Sequence, residues 1–174
     1  MGHMHDMPNS KPDIMTVAKS ISGGVTPVSG ILADANIMTQ IKAGEHGSTY
    51  GGNPLGMAVA KRAVEVLFED RMVENSRIQG EYLASQIAAI DSPLILETRG
   101  RGLFQGIEFR HDQKVNANDL AKILFKNGMM TKSTHDFCIR LSPALVITQK
   151  EVDEGVEVIS QSIKELEKMN EERH

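Results

Sequence analysis

The sequence predicts an α/β protein, and three observations predict it. Two short apolar runs, residues 13–19 and 27–33, flank a Ser-Gly-Gly turn and read as strands. Two long stretches, 54–69 and 72–90, repeat apolar residues at helical spacing. Beyond Pro93 short alternating runs intersperse with further helical stripes, the pattern of an α+β unit. A chain of 174 residues suits one domain or one and a fraction, and is long enough to bury a core.

The first strand holds Ile14, Met15, Val17 and Ala18, an apolar run expected of a strand buried on both faces. Gly30 in the second strand suggests close backbone packing. Asp34 is placed to cap a helix over 35–41, with Ile37, Met38 and Ile41 as its apolar face. A loop with four glycines follows, from Gly44 to Asn53. Asn53-Pro54 then reads as an N-cap and a proline in the first helical turn. In the helix over 54–69 the apolar positions Leu55, Ala58, Val59, Val66 and Leu67 fit a helical stripe. The helix over 72–90 carries Ile78, Tyr82, Leu83 and Ile87 on one side. Residues 94–99 and 103–109 alternate as strands around Gly100-Arg101-Gly102. A helix over 116–126, capped by Asn116 or Asn118, stops at Asn127-Gly128. Short strands are expected over 129–132 and 137–141. Thr148 caps a last helix over 149–169, and the tail from Asn170 is expected to fray.

Composition excludes several classes. A net charge of −4 leaves no basic footprint for nucleic acid. The single cysteine, Cys138, rules out an internal disulfide framework and fits a reducing compartment. No apolar run nears the ~18 residues of a membrane span. The first residues contain neither a secretory apolar core nor an Arg-rich amphipathic leader. The expectation is a protein of the cytoplasm or mitochondrial matrix, not secreted. His3 and His5, in the aperiodic segment 1–11, read as part of a flexible linker rather than metal ligands.

Lys19 closes the first apolar run and precedes Ser22-Gly23-Gly24. Burying an ammonium is costly unless it is paired or chemically altered. An amine at a strand end beside a permissive loop is placed to condense with a carbonyl group. The plainer alternative is a surface lysine at a strand end. Ser48 and Thr49 lie in the glycine-rich loop, where hydroxyls and backbone N–H groups suit a phosphate. A tight loop ending in a capped helix explains the same residues equally well. Arg140 stands inside the apolar strand of Cys138-Ile-Arg-Leu-Ser-Pro143. Its guanidinium fork matches a carboxylate ligand; the plainer alternative is an acidic neighbour on an edge strand. Arg99 and Arg101 read as residues of a solvated turn.

The run Lys19-Ser-Ile-Ser-Gly-Gly24 and the block GEHGSTYGGNPLG, Gly44 to Gly56, resemble class III pyridoxal-phosphate aminotransferases of fold type I, and among them the ornithine branch most. The resemblance runs from about Pro12 to Leu166 and covers the C-terminal part of that family. It implies an incomplete large, cofactor-binding domain over 12–90 with connecting helices, and a small α+β domain over 91–174. It implies pyridoxal 5′-phosphate as cofactor, carried by Lys19, with Ser48 and Thr49 reaching the cofactor phosphate of the other subunit of a homodimer. It implies that Arg140 holds the carboxylate of an amino acid or 2-oxo acid substrate. The implied reaction moves the δ-amino group of L-ornithine to 2-oxoglutarate, giving glutamate 5-semialdehyde and glutamate. N-acetylornithine is the alternative substrate.

The family's aspartate beneath the pyridinium nitrogen, its stacking aromatic and its phosphate turn have no counterpart in the sequence. The expectation is therefore little transaminase activity from this polypeptide alone. A reading of another class is an inactive unit that folds and oligomerises.

Overall fold

The computed structural model describes residues 12–173. The segment 1–11, with His3 and His5, lies outside the described residues. The chain is mixed α/β and divides into two compact units, the first ending at Met72 and the second running from Val73.

In the first unit β1 (Ile14–Val17) pairs antiparallel with β2 (Gly30–Ala33), Ile14 opposite Ala33 and Val17 opposite Gly30. The expected burial of β1 on both faces does not hold. Ile14 is 52% exposed, and Ile31 and Leu32 on β2 are 54% and 57% exposed. The physical reason is that β1 and β2 form a two-stranded ladder, with one neighbour each, so neither has a covering layer among the described residues. Gly30 is not forced by crowding either: a Cβ there would meet Val17 at an ordinary 3.7 Å.

α1 spans Ala35–Met38, shorter than expected. Thr39 Oγ1 and Gln40 Nε2 turn back onto the carbonyls of Ala35 and Asn36, and the backbone tightens to i→i+3 bonds through Ile41. α2 (Pro54–Glu69) matches the sequence expectation at both ends. Asn53 Oδ1 accepts from the Gly56 N–H at 2.8 Å, and Pro54 occupies the first turn, where its missing N–H costs nothing.

The second unit contains every fully buried large hydrophobic side chain among the described residues, from Leu83 to Leu166. α3 (Met72–Ala88) belongs to this unit by its packing. A four-stranded antiparallel sheet runs in the order β3-β4-β6-β5: β3 (Ile95–Arg101), β4 (Phe104–Phe109), β6 (Cys138–Leu141) and β5 (Lys132–Thr134). β5 begins three residues later than expected. Arg99 and Arg101 lie in β3, and the turn is Gly102-Leu103.

Period-2 alternation decides the faces. Gln105, Ile107 and Phe109 on β4, with Ile139 and Leu141 on β6, point into the core. α4 (Ala117–Lys126) and α5 (Gln149–Glu172) cover that face with Leu120, Ile123 and Leu124 and with Val152, Ile159, Ile163 and Leu166. Both helices open on capping boxes, Asn116 with Asp119 and Thr148 with Glu151. Among the described residues, 170–173 do not show the expected fraying. α5 continues to Glu172, and Arg173 reaches Asp119 at 2.9 Å and the Lys114 carbonyl at 3.0 Å. No described helix is long and apolar enough to cross a membrane.

Candidate active site

Lys19 opens a 3-10 turn, Lys19–Ser22, directly after β1. Ala18 is extended, and Lys19 takes φ of +56°, left-handed backbone that an L side chain adopts at a cost of roughly 1–2 kcal/mol. Gly23 (φ +65°) and Gly24 (φ +81°) complete the bend. The turn is held from beneath. Ser22 is fully buried and its hydroxyl donates to the Thr26 carbonyl. The turn packs on α2, where a Cβ at Gly23 would touch Ala63 at 3.6 Å. The Lys19 side chain itself is exposed. Nothing in the apolar run announces the left-handed backbone of Lys19.

Ser48 and Thr49 lie in the loop that leads into α2, and both are exposed. Ser48 Oγ accepts from the Gly51 N–H at 3.1 Å, closing a tight turn. A Cβ at Gly51 would stand 2.9 Å from Ser48 Cβ, so this turn needs glycine. Asn53 then ties the loop to the helix, its Nδ2 donating to the Tyr50 carbonyl at 2.9 Å while its Oδ1 caps α2. The Thr49 hydroxyl has no hydrogen-bond partner among the described residues. The structure thus holds Ser48 and Thr49 side by side, on a loop entering the helix that supports the Lys19 turn.

Arg140 belongs to the second unit, on the sheet face away from the core. The registers align Lys132, Arg140, Gly106 and Arg99 in one row across four strands. Arg99 is neutralised within the sheet by Glu97 and Glu108. The hydrogen-bonded Arg99 guanidinium holds the Glu108 carboxyl below its ordinary value, and Glu108 in turn raises Arg99. Arg140 and Lys132 have no carboxylate partner among the described residues. The Arg140 guanidinium lies 5.9 Å from the centroid of the Phe104 ring. Gly106 leaves the floor beside Arg140 without a side chain. Cys138, on the same face, has its thiol pushed up by burial.

From the sequence, the run Lys132-Ser-Thr-His135 counts only towards the resemblance and gives Lys132 no site role. The hairpin turn over 135–137 sets Lys132 opposite Arg140, a register that the expected strands over 129–132 and 137–141 do not give. His135, in that turn, adopts φ of +56°.

Comparison with known proteins places the chain in a family. The family model for class-III aminotransferases matches residues 1–163. The mitochondrial ornithine aminotransferase of Rattus norvegicus is 43% identical over 158 residues, covering 91% of this chain and 36% of its own length. Among solved structures, an ornithine aminotransferase from Plasmodium yoelii superposes with a TM-score of 0.85 at 40% identity, covering 90% of this chain and 42% of that one. The acetylornithine aminotransferase of Elizabethkingia anophelis gives 0.82 at 40% identity, covering 89% and 41%. The chain therefore spans about two fifths of the length of these relatives. Its sequence and its fold agree on one assignment: the chain belongs to the class-III aminotransferase family, whose fold is that of type I pyridoxal-phosphate enzymes.

Proposed function

We propose that this chain carries the lysine and the substrate-holding arginine of a pyridoxal-phosphate-dependent aminotransferase. The reaction moves the δ-amino group of L-ornithine to 2-oxoglutarate and yields glutamate 5-semialdehyde and glutamate. The observation that carries the reading is the backbone of Lys19. A non-glycine residue held at φ +56° over a buried, hydrogen-bonded serine is conformational cost retained at one side chain, and such cost concentrates at functional positions.

The residues present fit the cofactor. Lys19 offers an exposed primary amine on a supported turn, and Thr49 offers an uncommitted hydroxyl beside Ser48 for a phosphate. The cofactor, when bound, supplies the electron sink. With it bound, Lys19 Nζ would take the proton from the amine-bearing carbon of the donor and, in the return half-reaction, deliver a proton to the carbonyl carbon of the 2-oxo acid. Ser48 and Thr49 grip the phosphate held by the partner subunit of a homodimer. Arg140 orients the substrate by its carboxylate.

Ornithine is favoured by the relatives named for it, and N-acetylornithine is the second reading because a solved relative is named for that substrate. The compartment is the cytoplasm or, as for the rat relative, the mitochondrion.

The test is a titration of pyridoxal phosphate into the chain and its Lys19→Ala variant, followed by visible absorbance. Saturable spectral change in the parent and none in the variant supports the reading, and equal change in both refutes it. Addition of L-ornithine or N-acetylornithine to the loaded protein then discriminates the substrates by which one reverses the change.

A further inference from the structure

The last turn of α4 ends on Asn127-Gly128, the one asparagine in the sequence followed by glycine. Both residues are exposed. The Asn127 side chain also ties α4 to α5: its Nδ2 donates to Ser162 Oγ and to Glu165 Oε1, each at 3.0 Å. Ser162 is fully buried and Glu165 exposed, so one half of this clasp is shut away from water and the other faces it. The backbone closes the helix at the same point. The Gly128 N–H donates to the Phe125 carbonyl at 3.2 Å and the Met129 N–H to the Leu124 carbonyl at 2.8 Å, a Schellman cap with Gly128 at φ +87°. A Cβ at Gly128 would meet nothing within 4 Å, so that side of its peptide is open.

We propose that Asn127 is a deamidation site whose conversion releases α4 from α5. The Gly128 nitrogen gives up its proton and attacks Asn127 Cγ. The Cγ–Nδ2 bond breaks, and the amide nitrogen leaves as ammonia with that proton. Water then opens the cyclic imide at either carbonyl, leaving aspartate or isoaspartate, with no oxidant or reductant involved. The reaction has to free the two groups that the structure ties down, the Gly128 N–H and the Asn127 amide. Clasp and cap therefore set its rate, and it proceeds through local opening of the last turn. The product reverses the interaction. A carboxylate cannot donate, so an anion then faces Glu165 where an amide donated before. The C-terminal end of the α4 dipole disfavours that anion as well. The inference is independent of any cofactor on Lys19.

The test incubates the full 174-residue chain in mildly alkaline heavy-oxygen water and maps the label by peptide mass spectrometry. Asn127 is expected to take up label before any other asparagine. Ser162→Ala should speed that uptake about fivefold, the effect of one lost hydrogen bond. Asn127→Asp imitates the product, and amide exchange at Gly128 and Met129 should rise about tenfold in it. Glu165→Gln on the same background returns a donor to the pair and should restore most of the protection. That rescue separates the Glu165 contact from the helix-dipole effect. The labelling of the parent decides the matter should Asn127→Asp fail to fold. Uptake first at another asparagine, an unchanged rate in Ser162→Ala, parent-like exchange in Asn127→Asp, or no rescue by Glu165→Gln would each overturn the proposal.

Discussion

Gly80→Ala should destabilise the second unit, against helix propensity. Gly80 sits inside α3, where alanine ordinarily gains about 1 kcal/mol over glycine. The local geometry opposes this. A Cβ at Gly80 would lie 2.1 Å from the carbonyl carbon of Gly102 and 2.3 Å from its oxygen. Carbon contacts are comfortable only from about 3.5 Å, so helix and hairpin must separate by more than 1 Å. Both partners are backbone and cannot rotate aside. The shift also lengthens the 3.3 Å bond from the Leu103 N–H to Ser76 Oγ, a buried contact worth about 1 kcal/mol. Overpacking of this kind costs roughly 1–3 kcal/mol or somewhat more. The net expectation is a loss of about 3 kcal/mol. Urea unfolding followed by amide exchange at Ile107 and Leu120 isolates the second unit. Exchange protection equal to or greater than that of the parent would refute the packing argument.

The same substitution at Gly155 should act with the opposite sign. There the new Cβ meets only the flexible Met129 methyl, at 3.4 Å, so Gly155→Ala should raise stability by up to about 1 kcal/mol in the same assay. Asn53→Ala removes the α2 cap and the tie to Tyr50; a loss of about 1 kcal/mol is expected, read as faster amide exchange at Gly51 and Gly56. The Glu151 carboxyl is held below its ordinary value of 4.5, first by the Thr148 backbone N–H and then by its hydroxyl. A depressed folded value means that the unfolded chain binds the proton more readily, so the cap contributes fully above pH of about 4.5 and weakens as pH falls through the lower folded value. Carboxyl chemical shifts against pH should show this, and Thr148→Val should return Glu151 towards its ordinary titration.

Helices were legible where short-range chemistry decides them. Asn53-Pro54 marks the start of α2 and Thr148 that of α5, while for α4 both Asn116 and Asn118 offer a cap and the structure selects Asn116. These signals act within one turn, so the sequence contains them whole. Burial of β1 was misread because an apolar run states what a strand would bury, not which neighbours it has. The 3-10 turn at Lys19 escaped for a related reason. Its left-handed φ is imposed by packing of Ser22 and Gly23 beneath it, and lysine carries no preference for that conformation. The Arg99 and Arg101 turn was misplaced because glycines at 100 and 102 both read as turn residues, yet Gly100 lies in β3 and only Gly102 turns. Their place on one face with Arg140 follows from strand register, which emerges only once four strands are aligned.

Reductive mapping tests the central claim most directly. The chain is mixed with pyridoxal phosphate at equal concentration, treated with borohydride, digested, and the modified lysine located by mass spectrometry. Lys19 is expected to carry nearly all of the label, ahead of the exposed Lys61, Lys122 and Lys150. Label spread over those surface lysines at the level found on Lys19 would contradict the account.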